Sequence, residues 1–120
     1  MAKRILICED EKPFIKALRH KLEGEGYEVL EATDGQLAVD VLKKESVDLI
    51  LLDLMLPYKN GFEVLEELKG NLPAVIVMSN LGQKEDQDRV KRMGVEDYLI
   101  KAEVSLADVV KYVNKRLITT

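Results

Sequence analysis

Residues that can take part in phosphate chemistry follow four of the short apolar runs in this sequence. Three consecutive acidic residues, 9–11, follow the first run, and Asp53 follows the third. Ser79 and Lys101 come at the ends of the last two runs. In an open α/β sheet, ligands bind outside the carboxyl ends of neighbouring parallel strands. We therefore expect these side chains to converge at one edge of a sheet.

Such a convergence would bring like charges together. Two like charges about 5 Å apart repel by about 3 kcal/mol at an effective dielectric constant near 20, so Glu9, Asp10 and Asp53 need nearby cations. Lys101 supplies one positive charge, and a divalent cation with oxygen ligands would supply the rest. Mg²⁺ fits because it binds a few carboxylates and keeps water ligands that a phosphate can replace.

This set of groups predicts a phosphoryl acceptor site. Asp53 would be the nucleophile and would form an acyl phosphate. Lys101 and Mg²⁺ would neutralise charge on the transferring oxygens, while Ser79 would donate a hydrogen bond to the phosphoryl group. Each residue alone has a plainer interpretation as a helix cap or loop residue. The prediction depends on all of them lying at the carboxyl ends of the right strands.

The elements that must position these residues are alternating apolar runs and longer amphipathic stretches. Most runs are apolar at nearly every position, which is typical of parallel strands buried on both faces, whereas the second alternates and is predicted to be an edge strand. The predicted strands are Lys3–Cys8, Tyr27–Glu31, Val47–Leu52, Ala74–Met78 and Asp97–Ile100. Five βα repeats predict an α/β, flavodoxin-like doubly wound parallel sheet, in the order 2-1-3-4-5, with five helices.

The helical stretches carry apolar stripes at three- and four-residue spacing. The first two stripes comprise Phe14, Ala17, Leu18 and Leu22, and then Leu37, Ala38, Val41 and Leu42. Asp34 is predicted to cap the second helix. The fourth helix has few apolar anchors, chiefly Val90 and Met93, so we predict that it docks weakly on the sheet. It is either an ordinary solvated helix or a segment that shifts when the site changes.

Length and composition limit the class of protein. We expect residues 1–120 to form one domain, and the formal net charge of −4 disfavours direct binding to nucleic acid. No apolar run approaches the roughly 20 residues of a membrane span, and no secretory signal is recognisable. We therefore predict a cytoplasmic location without a membrane partner. A single cysteine, Cys8, excludes an internal disulfide and is predicted to be buried, and the single histidine, His20, is predicted to be solvated.

These motifs resemble those of the receiver domain of two-component response regulators, over about residues 3–118. The stretches that carry the resemblance are Ile5–Glu11, Asp48–Pro57 followed by Asn60-Gly61, Val75–Ser79 and Asp97–Lys101. The resemblance implies that a histidine kinase or phosphotransfer protein donates the phosphoryl group to Asp53. It also implies that Mg²⁺ is held by Glu9, Asp10, Asp53 and the backbone carbonyl of Met55.

The resemblance further implies a conformational switch. Ser79 would move toward the phosphoryl group, and the aromatic Tyr98, three residues before Lys101, would rotate inward. The surface of the fourth helix, fifth strand and fifth helix would then change partners, which are an unidentified downstream protein or output domain. A phosphorylation-dependent homodimer is one form this change can take. The plainer interpretation of Tyr98 is a half-buried strand aromatic.

Three positions depart from the family pattern. Lys101 is followed by Ala102 where the family usually has a cis proline, so we expect either a trans bond with a rearranged loop or a strained cis bond. Asn80 stands where the family has a small residue, and would either crowd the phosphoryl entrance or add a hydrogen bond to it. Glu9 replaces a shorter aspartate, so its carboxylate is expected to reach the metal differently, through water.

Two other functions compete with the switch. A receiver-like interaction module that does not depend on phosphate is favoured by Asn80 and Ala102. An aspartate-based phosphatase is disfavoured by Met55, because such enzymes generally carry a second acid at that position. We therefore expect a phosphoacceptor, with possible self-phosphorylation and self-dephosphorylation, and not a conventional enzyme. Met55 and Leu81 flank the approach of hydrolytic water in this family, and their bulk predicts slow self-dephosphorylation.

Overall fold

A five-stranded parallel sheet forms the centre of the computed structural model, which describes residues 2–118. The strands are β1 (Arg4–Cys8), β2 (Glu28–Ala32), β3 (Leu49–Leu52), β4 (Ala74–Ser79) and β5 (Asp97–Ile100). They lie in the order β2-β1-β3-β4-β5, and each neighbouring pair is parallel. The predicted flavodoxin-like topology is confirmed, because apolar strands joined by helical crossovers bury both faces of the sheet.

Helices cover both faces of this sheet. They are α1 (Lys12–Gly24), α2 (Gly35–Lys44), α3 (Gly61–Glu67), α4 (Lys84–Arg92) and α5 (Leu106–Ile118), with a short 3-10 turn at Lys101–Glu103 before α5. The buried side chains of α1 and α5 share one hydrophobic cluster with one face of the sheet. Those of α2, α3 and α4 share a second cluster with the other face. All four residues of β3 are buried, as expected for a central strand.

Two predicted stripe positions are wrong. Ala17 is exposed, and Ile15 is buried with Leu18 and Leu22 in its place. Ala17 and Leu18 are adjacent and so point about 100° apart around the helix axis, whereas Ile15 precedes Leu18 by three residues and shares its face. Leu37 is likewise 41% exposed, and α2 instead buries Ala38 and Val39.

The predicted cap of α2 is confirmed, and it provides a test of local stability. The Asp34 carboxylate accepts a hydrogen bond of 2.7 Å from the backbone N–H of Leu37. We expect Asp34→Ala to lower the free energy of unfolding by about 1 kcal/mol, because an N–H group of the first turn loses its partner. Urea unfolding measures this loss. The control Asp40→Ala removes an exposed carboxylate from the same helix, and an equal loss in both variants would contradict the capping role.

Helix α4 is attached by few contacts, in line with its sparse apolar pattern. Val90 is its one buried residue within the described part of the chain. The Arg89 guanidinium lies 4.0 Å from the centre of the Phe62 ring in α3, which adds a cation–π contact. Among residues 2–118, no helix combines the length and the apolar character needed to cross a bilayer.

Candidate functional site

Three carboxylates meet at the carboxyl edge of the sheet. The last residues of β1 and β3, Cys8 and Leu52, are register partners, so the residues that follow them become neighbours. One carboxylate oxygen from each of Glu9, Asp10 and Asp53 lies within 4.8 Å of the other two. Glu9 is fully buried and Asp53 is nearly so, while Asp10 is exposed. The structure thus brings together the acidic residues that strand topology predicts to converge.

Lys101 reaches this cluster from the end of β5. Its ammonium nitrogen lies 2.6 Å from Glu9 Oε1 and 2.7 Å from Glu11 Oε1, but 3.5 Å from Asp53 Oδ2. The Lys101 side chain is only 7% exposed, and its ammonium lies 4.6 Å from the centre of the Phe14 ring. Lys101 therefore pairs more tightly with the two glutamates than with the predicted nucleophile.

Glu11 is the residue to which sequence reasoning assigned no separate role. It contacts Lys101, although its own side chain is 63% exposed. The available signal was the third acid in the run 9–11, which places a further carboxylate beside the first strand end. The contact joins residues 90 positions apart in the chain, so only the fold assigns it to Glu11.

The pKa values of the buried pair are set by opposing effects. Burial raises the pKa of Glu9, while the hydrogen bonds from Lys101 and from the backbone of Glu11 partly oppose that rise. Burial alone would lower the pKa of Lys101, but its hydrogen bonds to Glu11 and Glu9 outweigh that effect and raise the pKa. The ammonium of Lys101 therefore stays charged at neutral pH and offsets part of the acidic charge.

Backbone N–H groups orient two of the carboxylates. Glu9 Oε2 accepts hydrogen bonds from the N–H groups of Asp10 at 3.1 Å and Glu11 at 3.0 Å. Asp53 Oδ1 accepts one from Met55 N–H at 2.9 Å. The side chain of Met55 is 57% exposed at the same edge. A cluster of three carboxylates with only one ammonium is an oxygen donor set that suits a hard divalent cation.

The predicted switch residues Ser79 and Tyr98 meet at Leu81. Ser79 is buried, and its Oγ accepts a hydrogen bond of 3.3 Å from Leu81 N–H. The Tyr98 hydroxyl donates a hydrogen bond to the carbonyl oxygen of Leu81. Burial, aided by the carboxylates of Asp86 and Asp53, raises the pKa of Tyr98 to about 12. Tyr98 is half-buried and stays a neutral hydrogen-bond donor at neutral pH.

Of the trans and cis forms expected for the peptide bond after Lys101, the structure has the trans form. The described residues contain no cis peptide bond, so the bond between Lys101 and Ala102 is trans and opens the 3-10 turn Lys101–Glu103. Asn80 Oδ1 accepts a hydrogen bond of 2.9 Å from Ala102 N–H. The sequence signal for this contact was the absence of proline at position 102, which leaves an N–H group there that can donate a hydrogen bond.

Comparison with known proteins identifies one family model and several solved structures that are similar to this chain. The family model described as the response regulator receiver domain matches residues 5–114. The phosphorylated cyanobacterial phytochrome response regulator RcpA is 30% identical with a TM-score of 0.85, over 99% of this chain and 96% of that one. A CheY-like receiver domain protein from Methanospirillum hungatei is 27% identical with a TM-score of 0.92, over 98% and 95% of the two chains.

A third solved structure is similar in fold. It is the receiver domain of a Pseudomonas aeruginosa sensor histidine kinase with a magnesium ion coordinated in its active-site cleft. It is 24% identical with a TM-score of 0.86, over 99% of this chain and 100% of that one. The family match runs from β1 into α5. The chain belongs to the response regulator receiver domain family of two-component signalling systems.

Proposed function

We propose that this chain is a phosphorylatable switch that accepts a phosphoryl group on Asp53 from a histidine kinase or phosphotransfer protein. The observation that carries the proposal is the meeting of Asp53 with Glu9, Asp10 and Lys101 at the carboxyl edge of the sheet. Receiver domains of this family work with histidine kinases and output domains. One relative at 30% identity has been solved in its phosphorylated form, which supports the same chemistry here.

Mg²⁺ is the cofactor that the acidic cluster fits best. Receiver domains generally bind this ion in the active site. Asp10 and Asp53 would hold it together with the backbone carbonyl of Met55, while Glu9, with both oxygens already accepting hydrogen bonds, would reach it through water. The ion would supply positive charge next to the transferring phosphoryl oxygens.

The transfer step makes one bond and breaks one. A carboxylate oxygen of Asp53 attacks the phosphorus atom, and the bond between phosphorus and the donor's leaving group breaks with its electron pair going to that group. The Asp53 carboxylate is already oriented before transfer, because its Oδ1 accepts a hydrogen bond from Met55 N–H. Lys101, held by Glu9 and Glu11, presents its positive charge 3.5 Å from Asp53 Oδ2, where negative charge on the phosphoryl oxygens would gather.

The same edge offers a route from the phosphoryl group to a protein surface. Ser79 Oγ and the Tyr98 hydroxyl both bind backbone groups of Leu81. A move of Ser79 toward a phosphoryl group on Asp53 breaks its bond to Leu81 and disturbs the acceptor of Tyr98. The α4-β5-α5 surface would then change its affinity for a downstream protein, an output domain or a second copy of the chain.

Incubation with Mg²⁺ and acetyl phosphate tests the function directly. We expect intact mass spectrometry to find a gain of one phosphoryl group, and no gain when EDTA replaces Mg²⁺. A lasting absence of phosphoryl gain would favour the other candidate, a phosphate-independent interaction module. The specific observation in favour of that candidate is that Lys101 lies closer to Glu9 and Glu11 than to Asp53. In either case the chain would be a signalling module and not a conventional enzyme.

The lifetime of the phosphorylated form is a separate prediction. Met55 is largely exposed and Leu81 is half-buried. Neither side chain can donate a hydrogen bond to a water molecule, and the Met55 sulfur is only a weak acceptor. We expect the phosphorylated protein to decay slowly and the variant Met55→Asn with Leu81→Glu to decay about tenfold faster, the order of one hydrogen bond to the attacking water. The decay is followed by intact mass after removal of acetyl phosphate. An unchanged decay rate would exclude these residues as barriers to hydrolysis.

A further inference from the structure

We propose that Asn80 is a positioning residue for Lys101, acting through the backbone N–H of Ala102. The proposal rests on the proposed function and adds to it the reason why this chain needs no proline after its lysine. Asn80 follows Ser79 at the end of β4, and Ala102 follows Lys101 at the end of β5. One hydrogen bond of 2.9 Å, from Ala102 N–H to Asn80 Oδ1, thus joins the residues that directly follow Ser79 and Lys101.

The backbone after Lys101 needs such a restraint. A proline at position 102 would limit the chain through its ring, and it would lack an N–H group. Ala102 imposes no ring, and its N–H group can donate a hydrogen bond to a neighbouring side chain. Asn80 Oδ1 supplies the acceptor from the neighbouring strand end, 22 residues away in the chain. The side chain of Asn80 therefore replaces, by a hydrogen bond, a restraint that a proline would provide covalently.

This restraint would keep the Lys101 ammonium in position near Asp53. The ammonium nitrogen lies at 2.6 Å, 2.7 Å and 3.5 Å from oxygens of Glu9, Glu11 and Asp53. A shift of about 1 Å in a positioning element can cost a large factor in rate, and here it would change which carboxylate the ammonium faces. Both glutamates already compete for Lys101, so a loose backbone at Ala102 would let the ammonium move away from Asp53.

A direct role of Asn80 at the phosphoryl group is the competing explanation. The observed contact supports the indirect role, because Asn80 Oδ1 accepts the hydrogen bond from Ala102 N–H, whereas a direct role would use the Nδ2 group of Asn80 as a donor to a phosphoryl oxygen. The two explanations differ in what removal of that N–H does. If Asn80 acts through Ala102, its own substitution matters only while the N–H is present. If it acts directly on the phosphoryl group, its substitution matters in either case.

A double-mutant cycle separates these explanations. The proteins are wild type, Asn80→Ala, Ala102→Pro and the double variant, each phosphorylated with acetyl phosphate and Mg²⁺. We expect Asn80→Ala to slow phosphorylation at saturating donor about threefold to tenfold, the range of one hydrogen bond, with little change in the half-saturating donor concentration. We expect Asn80→Ala to have no further effect in the Ala102→Pro background. Equal slowing in both backgrounds would overturn the proposal.

A second measurement needs neither phosphorylation nor the proline variant. In Asn80→Ala, NMR should find faster hydrogen exchange of the Ala102 amide and shifted Cε–Hε resonances of Lys101. The control Asn71→Ala, an exposed asparagine before the opposite end of β4, should leave both signals unchanged. Unchanged signals in Asn80→Ala would overturn the proposal, even if Ala102→Pro fails to fold. If wild type takes up no phosphoryl group, the proposed function fails while this measurement still tests the positioning role.

Discussion

Asp53→Asn should abolish phosphoryl uptake from acetyl phosphate and should also make the metal-free protein more stable. Uptake is lost because an amide cannot act as the carboxylate nucleophile that forms an acyl phosphate. Intact mass spectrometry after incubation with Mg²⁺ measures the first effect. A phosphoryl group gained by the variant would place the acceptor on another residue and would overturn the assignment of Asp53.

The stability gain follows from the charges around Asp53. Its carboxylate lies within 4.8 Å of oxygens of Glu9 and Asp10, and a pair of like charges at about 5 Å repels by about 3 kcal/mol at an effective dielectric constant near 20. The attraction to Lys101 at 3.5 Å and the exposure of Asp10 reduce the net repulsion. We expect a gain of about 1–2 kcal/mol in the free energy of unfolding.

Urea unfolding in EDTA measures this gain. The control Asp40→Asn removes the same charge from an exposed position on α2 and should leave the stability nearly unchanged. The difference in free energy of unfolding between wild type and Asp53→Asn should narrow when Mg²⁺ is added. A ligand that binds only the folded state stabilises it, and Mg²⁺ should bind more tightly to wild type, which keeps the Asp53 carboxylate. A gain of the same size in Asp40→Asn would show that net charge, and not the local cluster, is responsible.

Lys101→Met should be the most destabilising substitution at the site. It leaves the fully buried Glu9 without its cationic partner, and removal of one partner from a buried ion pair costs about 3–5 kcal/mol. Thermal or urea unfolding at pH 7 in metal-free buffer measures the loss. The control Lys84→Met removes an ammonium whose side chain is 89% exposed, and it should change the stability by only a few tenths of a kcal/mol.

The loss in Lys101→Met should depend on pH. Burial raises the pKa of Glu9 above its ordinary 4.5 in the folded protein, and Lys101 partly opposes that rise, so its removal raises the pKa further. A group with a raised folded pKa stabilises the fold most below its unfolded pKa, and this contribution is lost as pH rises through the folded pKa. The deficit relative to wild type should therefore be smallest near pH 4.5 and should grow toward neutral pH. A deficit that is constant over this range would mean that Glu9 is not the residue left unpaired.

The sequence alone was sufficient for the topology and for the residues of the acidic edge. Continuous apolar runs such as Leu49–Leu52 are typical of strands covered on both faces, and right-handed crossovers leave few ways to order them. Once the order is known, residues that follow adjacent strand ends must be neighbours. That rule brings Glu9 and Asp10 beside Asp53 at the ends of β1 and β3, whereas Lys101 follows β5, beyond β4, and reaches them because its side chain is long.

Only the tertiary structure decided how those residues pair with one another. The preference of Lys101 for Glu9 and Glu11 over Asp53, and the bond from Ala102 N–H to Asn80, join residues 22 to 92 positions apart. Hydrogen bonds of this kind depend on distances of a few tenths of an ångström. Sequence periodicity places a residue on a strand or at its end, but it does not resolve such distances. The strand ends were therefore predictable, whereas the partners chosen there were decided by three-dimensional packing.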